Sequence, residues 1–149
     1  MQKVIRSASS ALVSGTIASV AMAAALAWLA KKEGKAAVQP VNATSHWLHG
    51  EHAGTIREAD LSHTGVGFGT HHASALFWAF MFENWLATQP PRTPVLMLRD
   101  ASVMSAIAAA VDYGVTPKQF TPGWEEVLSP RSIGIAYGAM ALGLAAGAI

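Results

Sequence analysis

The chain has 149 residues, of which 52% are hydrophobic and 13% charged, and its formal net charge is +1. A soluble domain carries about 25% charged residues, so charge alone cannot cover the surface of this chain, and an apolar phase must cover part of it. The sequence has no basic stripe of the kind that binds nucleic acid, and the absence of cysteine excludes disulfides, thiolate metal sites and cysteine nucleophiles.

Four apolar segments are predicted to form transmembrane helices, at about residues 7–30, 66–87, 95–115 and 132–149. In the first, no charged residue occurs from Ser10 to Ala30, and about 20 apolar residues in a helix cross a bilayer core of ~30 Å. A cleaved signal peptide is the rival interpretation, but its apolar stretch spans only about 7–15 residues. We therefore expect the first segment to be a membrane span.

The first connection, about residues 31–65, is the longest. Gly34 and Pro40 interrupt it early, and Asn42 or Thr44 could cap a short helix that includes Trp47. We expect this helix to lie at the membrane interface.

The second segment is rich in Phe and Trp and carries His71, His72 and Glu83, whereas the third carries Asp112 near its end. Prolines in residues 89–94 separate the two, because proline ends a helix. The connection before the fourth segment contains Trp124, which we expect at the interface. The fourth segment has no charged residue.

A soluble helix bundle is the alternative fold, but its helices would each present a charged face, and the first and fourth segments have none. The sequence thus predicts an all-α membrane protein. It consists of a single integral membrane domain, residues 1–149, built as a bundle of four transmembrane helices with a short interfacial helix in the first long loop.

Small residues spaced four apart are expected to mediate helix packing, because they let helix backbones approach closely inside a bilayer. The fourth segment has two such glycine pairs, and the first and third have Ser and Ala at the same spacing. The predicted packing residues are Gly134, Gly138, Gly143, Gly147, Gly15 and Ser19, with Ser102, Ala106 and Ala110 in the third segment.

Ionisable residues inside membrane helices are costly and are usually functional or paired. His72 and Glu83 share one helix face within about 20°, and Asp112 could meet a partner on another helix. These three residues form a hypothetical polar track for protons or ions. The alternative is that their side chains reach the interface and serve no transport.

The six histidines all fall between residues 46 and 72. His46, His49 and His52 recur every third residue, and on a helix the first two share a face that could coordinate a metal. His72 could be an axial haem ligand. The only cofactor that the sequence indicates is therefore a metal or haem at these histidines, and no motif specifies either.

Residues 114–120, GVTPKQF, followed by residues 124–129, WEEVLS, resemble the YagU-like group of bacterial inner-membrane proteins. The block His46–Gly50, with residues 71–74 and Phe77-Trp78, is similar to short uncharacterised proteobacterial membrane proteins. The resemblance implies a bacterial inner membrane and a helical bundle, and it implies no activity.

The sequence lacks a nucleophile elbow, a Walker loop and a dinucleotide fingerprint. We therefore expect a non-enzymatic, multi-pass protein of the bacterial inner membrane, either an accessory or assembly subunit of a membrane complex or a self-associating bundle. Its expected partners are lipid and other membrane subunits or further copies of itself, and not nucleic acid. A histidine-based metal or haem site in a redox or transport protein is one alternative, and a proton or ion pathway is another.

Overall fold

A computed structural model describes the backbone of residues 2–148 and the side chains of residues 5–148, and all regular structure in this range is helical. The four long helices are α1 (Gln2–Lys32), α4 (Val66–Leu86), α5 (Pro94–Gly114) and α6 (Pro130–Gly147). Each coincides with a predicted segment to within two residues, except that α1 begins five residues earlier than expected. The predicted end of the last helix, Ile149, lies outside the described residues.

The first connection contains two short α-helices, α2 (Gln39–Ala43) and α3 (His46–His49), followed by a 3-10 helix (Glu51–Thr55) and a π-helix (Leu61–Gly65), where the sequence predicted one short helix. The predicted caps are also wrong, because Asn42 belongs to α2 and the residue preceding α3 is Ser45. All five residues of α2 are buried against the bundle, so this helix is part of the protein interior. Only Trp47 and Leu48 of α3 expose large apolar side chains.

Side chain and backbone signals at the helix ends explain where the helices stop and start. α1 ends because Gly34 adopts φ +75°, which lets Lys35 N–H donate to Ala30 C=O at 2.8 Å and Gly34 N–H donate to Lys31 C=O at 3.2 Å, the Schellman arrangement. Thr93 and Ser129 cap α5 and α6 by accepting hydrogen bonds from backbone N–H groups three residues on.

α1 is the central helix of the bundle. It packs antiparallel to α4 on one side and to α6 on the other, and α5 packs mainly against α6. α4 and α5 make few contacts with each other, although they are neighbours in the chain. The bundle is therefore open between α4 and α5.

Close helix packing relies on some of the predicted glycines. A Cβ added at Gly143 would lie 2.5 Å from the Cα of Ala18, and one at Gly147 would overlap Ser14. Gly15 lies against Leu76 of α4 in the same way, and Ser19 is fully buried. These residues hold α1 against both of its neighbours, as small residues do at helix interfaces.

Gly134 and Gly138 have a different environment, because an added Cβ at either would meet no atom within 4 Å. They lie on an exposed face of α6 and make no close packing within the described chain. The two glycine steps of α6 thus have different surroundings, although their sequence spacing is the same.

Two helices are long and apolar enough to cross a membrane, judged by length and composition: residues Ile5–Lys32 of α1, and α5. α4 and α6 fall short of that criterion. Two histidines and Glu83 interrupt the apolar sequence of α4, and α6 has only 18 residues, with Arg131 in its first turn.

Candidate functional site

A cavity of about 230 Å³ lies where α4 and α5 separate. Its walls come from all four long helices, and its outer side is closed by the segment containing α2 and α3 and by the connection between α5 and α6. The rim includes Trp47 and Phe120, which are 47% and 59% exposed. The other lining residues are Met22, Thr44, Thr70, His71, Ser74, Ala75, Trp78, Asp112, Thr121, Pro122, Trp124, Tyr137 and Met140.

The polar groups of the cavity come from three helices. Asp112 of α5 accepts a hydrogen bond from the hydroxyl of Tyr137 of α6 at 2.6 Å. His71 of α4 is buried, and its Nε2 lies 3.0 Å from the backbone oxygen of Ser19. Because a carbonyl oxygen only accepts, Nε2 carries the proton of this ring. Asp112 has no Lys, Arg or His partner among the described side chains.

Trp124 forms the aromatic centre of the wall. It is only 3% exposed, so its ring packs inside the protein. Its indole nitrogen donates to the hydroxyl of Thr44 at 3.1 Å, and its ring lies 5.9 Å from His71 and 5.7 Å from Tyr137. A tryptophan in the last connection therefore joins α2, α4 and α6 around the cavity.

The outer cover of the cavity is held by buried polar contacts. His46 Nε2 donates to the backbone oxygen of Thr121 at 2.8 Å. Asn42, which is fully buried, donates to the backbone oxygens of Ile56 and Glu58 and accepts from Thr64. Such satisfied buried groups fix the geometry of a segment whose helices are all short.

A second concave feature, which we name the α5–α6 groove, runs along the outside of the bundle. It has a volume of about 580 Å³. Its exposed floor consists of small residues from both helices, and these are the residues singled out in the sequence: Ser102, Ala106, Ala110, Gly134 and Gly138.

The structure rearranges the predicted histidine group. His46 turns away to Thr121, whereas His49 and His52 lie near His63, with ring centroids 4.5 Å and 6.0 Å from it. His63 in turn contacts Asp60 through Nδ1 at 2.8 Å. The backbone N–H and the ring of His63 hold the pKa of Asp60 below its usual range. Within residues 5–148, no three or more His, Asp or Glu side chains are placed to hold a metal ion.

The three residues of the hypothetical polar track do not meet. His72 is half-buried and stacks on Phe68 at 5.9 Å, and Glu83 lies towards the other end of α4 in a separate pocket beside Ser10. Only Asp112 lines the cavity between α4 and α5. No hydrogen bond or ion pair among the described side chains joins these three.

Sequence reasoning did not identify Tyr137 as the partner of Asp112, nor His71 and Trp124 as residues of the same cavity. Tyr137 is the only side chain with a polar end in the middle of α6, which was a signal for a buried hydroxyl partner. His71 and His72 could not be separated by sequence, because a small rotation of α4 decides which of two adjacent residues faces inward.

Comparisons with protein-family models, with curated proteins and with solved structures found no match to this chain.

Proposed function

We propose that this chain is a non-enzymatic, multi-pass protein of the bacterial inner membrane, in which α1, α4, α5 and α6 all cross the bilayer. The observation that carries the proposal is that each of the four helices exposes large apolar side chains on the outside of the bundle. Examples are Leu12, Phe77, Val103 and Leu142, which are 55–60% exposed. In water, these positions would carry polar side chains.

The distribution of charge supports the same arrangement. Because the helices alternate in direction, the charged residues collect at the two ends of the bundle. At one end, Asp100 is buried between Arg92 and Arg99, with N–O distances of 3.0 Å and 2.7 Å. At the other end, Lys118 contacts Glu51 and Glu126. The apolar middle of each helix lies between these charged ends, as in a membrane bundle.

We propose further that the protein acts as a subunit, and that the α5–α6 groove receives a transmembrane helix of a neighbouring subunit. Lipid provides no hydrophobic drive for helix association, so close contact between small residues replaces it. Gly134 and Gly138 offer such a contact and have none within the described chain. A second copy of this chain is the simplest neighbour.

The experiment is purification in mild detergent with two differently tagged copies expressed together, followed by light-scattering mass and identification of co-purifying chains. Gly134→Leu and Gly138→Leu fill the groove from positions where an added Cβ meets no described atom within 4 Å. Gly69→Leu is the matched control, because Gly69 is an exposed helical glycine of α4 with open space around it.

We expect the wild type and Gly69→Leu to retain the associated species and the two groove variants to lose it. If the groove variants no longer co-purify with the second tagged copy, the protein self-associates. If they no longer co-purify with another membrane protein, the chain is an accessory subunit. A wild-type chain that purifies alone as a monomer, or groove variants that keep their partner, would contradict the proposal.

A further inference from the structure

The cavity between α4 and α5 is a separate concave feature from the α5–α6 groove, although Tyr137 borders both, and its chemistry calls for its own explanation. Five of its fifteen lining residues are aromatic: Trp78, Trp124 and Tyr137 in the wall, and Trp47 and Phe120 at the rim. The faces of aromatic rings attract cations, tryptophan most strongly. The walls are therefore suited to a positively charged ligand with an apolar body.

The carboxylate in the cavity has the complementary charge. Asp112 receives one hydrogen bond, from the neutral hydroxyl of Tyr137 at 2.6 Å, and none of the described Lys or Arg side chains lines the cavity. Asp112 is half-buried, and a partly desolvated carboxylate without a counter-charge is destabilised. A bound cation would supply that charge.

A second carboxylate adjoins the same wall. Glu125 follows Trp124 in the chain, and one of its oxygens accepts from the hydroxyl of Thr121 at 2.5 Å. Its other oxygen, Oε2, is enclosed and has no hydrogen-bond partner within the described residues. No described basic side chain forms an ion pair with Glu125 or Asp112. The electrostatics of the wall thus favour cations and disfavour anions.

The volume limits the size of the ligand. An apolar protein cavity of roughly 150 Å³ accommodates benzene, so about 230 Å³ suits a molecule with one ring or a few short alkyl groups. Met22 and Met140 add adaptable apolar surface to the cavity.

We propose that this cavity binds a small organic monocation of the alkyl- or arylammonium class, with its ammonium group beside Asp112 and its apolar part against Trp124. Trp47 and Phe120 form the entrance. This proposal does not rest on subunit association and holds for a single copy of the chain.

The first test compares benzylammonium with benzyl alcohol on the wild-type protein in detergent, by isothermal titration calorimetry. The two molecules have similar size and shape, and only the first is charged at neutral pH. We expect saturable binding of benzylammonium with an affinity at least about tenfold higher than that of benzyl alcohol, which corresponds to about 1.4 kcal/mol. This comparison requires no variant and so cannot be confused with misfolding.

The second test uses Asp112→Asn, which can still accept a hydrogen bond from Tyr137, with Glu83→Gln as the matched control. Glu83 is also a buried carboxylate of the bundle, but it lies in another pocket. We expect Asp112→Asn to lower benzylammonium affinity at least tenfold without changing benzyl alcohol binding, and Glu83→Gln to change neither. Equal affinity for the two ligands, absence of saturable binding, or an unchanged Asp112→Asn variant would overturn the proposal.

Discussion

The carboxylate of Glu33, at the end of α1, accepts a hydrogen bond from the hydroxyl of Ser129 at 2.6 Å. It also accepts from the backbone N–H of Ser129 and from the hydroxyl of Ser132. Glu33 is thereby joined to two serines that lie 96 and 99 positions further along the chain. Its negative charge lies at the positive end of α6. These contacts lower the pKa of Glu33, the hydroxyl of Ser129 most of all.

The first prediction concerns the pH dependence of stability. Because the pKa of Glu33 is lower in the folded protein than its usual value of 4.5, its contribution is fully present above that value and is lost as the pH falls through the folded pKa. Because Glu33 is exposed and solvent screens its interactions, Glu33→Gln should lower the free energy of unfolding at neutral pH by only about 0.3–1 kcal/mol. Unfolding curves of both proteins in detergent should converge as the pH falls below the folded pKa of Glu33, and a difference that persists after the carboxyl is protonated would contradict this assignment.

The second prediction uses two glycines of α6 whose surroundings differ. Gly143→Ala places a Cβ 2.5 Å from the backbone of Ala18, so we expect it to reduce stability by roughly 1–3 kcal/mol through overpacking. Gly138→Ala meets open space and should leave stability unchanged or slightly raised. Thermal unfolding in detergent, followed by tryptophan fluorescence, measures both. Equal effects would mean that α6 does not face α1 as described.

The third prediction concerns the cover of the cavity. Asn42→Ala removes a fully buried amide, leaves two backbone oxygens without partners and removes the acceptor of the Thr64 hydroxyl proton. We expect a loss of about 2–4 kcal/mol and faster proteolysis between residues 36 and 64. The control is Asn84→Ala, since Asn84 is half-buried and donates only to Phe80 one turn back. If both variants behaved alike, Asn42 would not organise this segment.

The fourth prediction distinguishes four spans from two. The chain has no cysteine, so a single introduced cysteine can report water access without the prior removal of a native one. Phe77→Cys in α4 and Leu142→Cys in α6 should resist a membrane-impermeant maleimide in intact membranes, because the reactive thiolate does not form in lipid. Both should react after solubilisation and unfolding. Lys118→Cys, in an exposed connection, should be labelled when its side of the membrane is accessible. Ready labelling of Phe77→Cys and Leu142→Cys in the membrane would leave only α1 and α5 as spans.

Apart from the start of α1, the extent of the four long helices followed from the sequence alone, because proline, glycine and the boundaries of apolar runs act locally on the backbone. Thr93, Pro94, Ser129 and Pro130 start α5 and α6 at positions set by capping chemistry. The small residues of the α5–α6 groove were also visible in the sequence, since their spacing is a property of one helix. The sequence did not predict the break between α2 and α3 in the first connection, because this break depends on contacts with α4 and with the last connection.

The composition and the apolar segments therefore determined an all-helical chain with too little charge to cover its surface. The residue spacing determined which helix faces carry small residues. Only the tertiary structure decided that Gly143 packs against α1 while Gly138 stays open. It alone decided that His71 rather than His72 joins Trp124, and that Asp112 meets Tyr137 across 25 residues. The physical reason is that helix formation depends on neighbours in sequence, whereas the rotation and separation of packed helices depend on side chains that are distant along the chain.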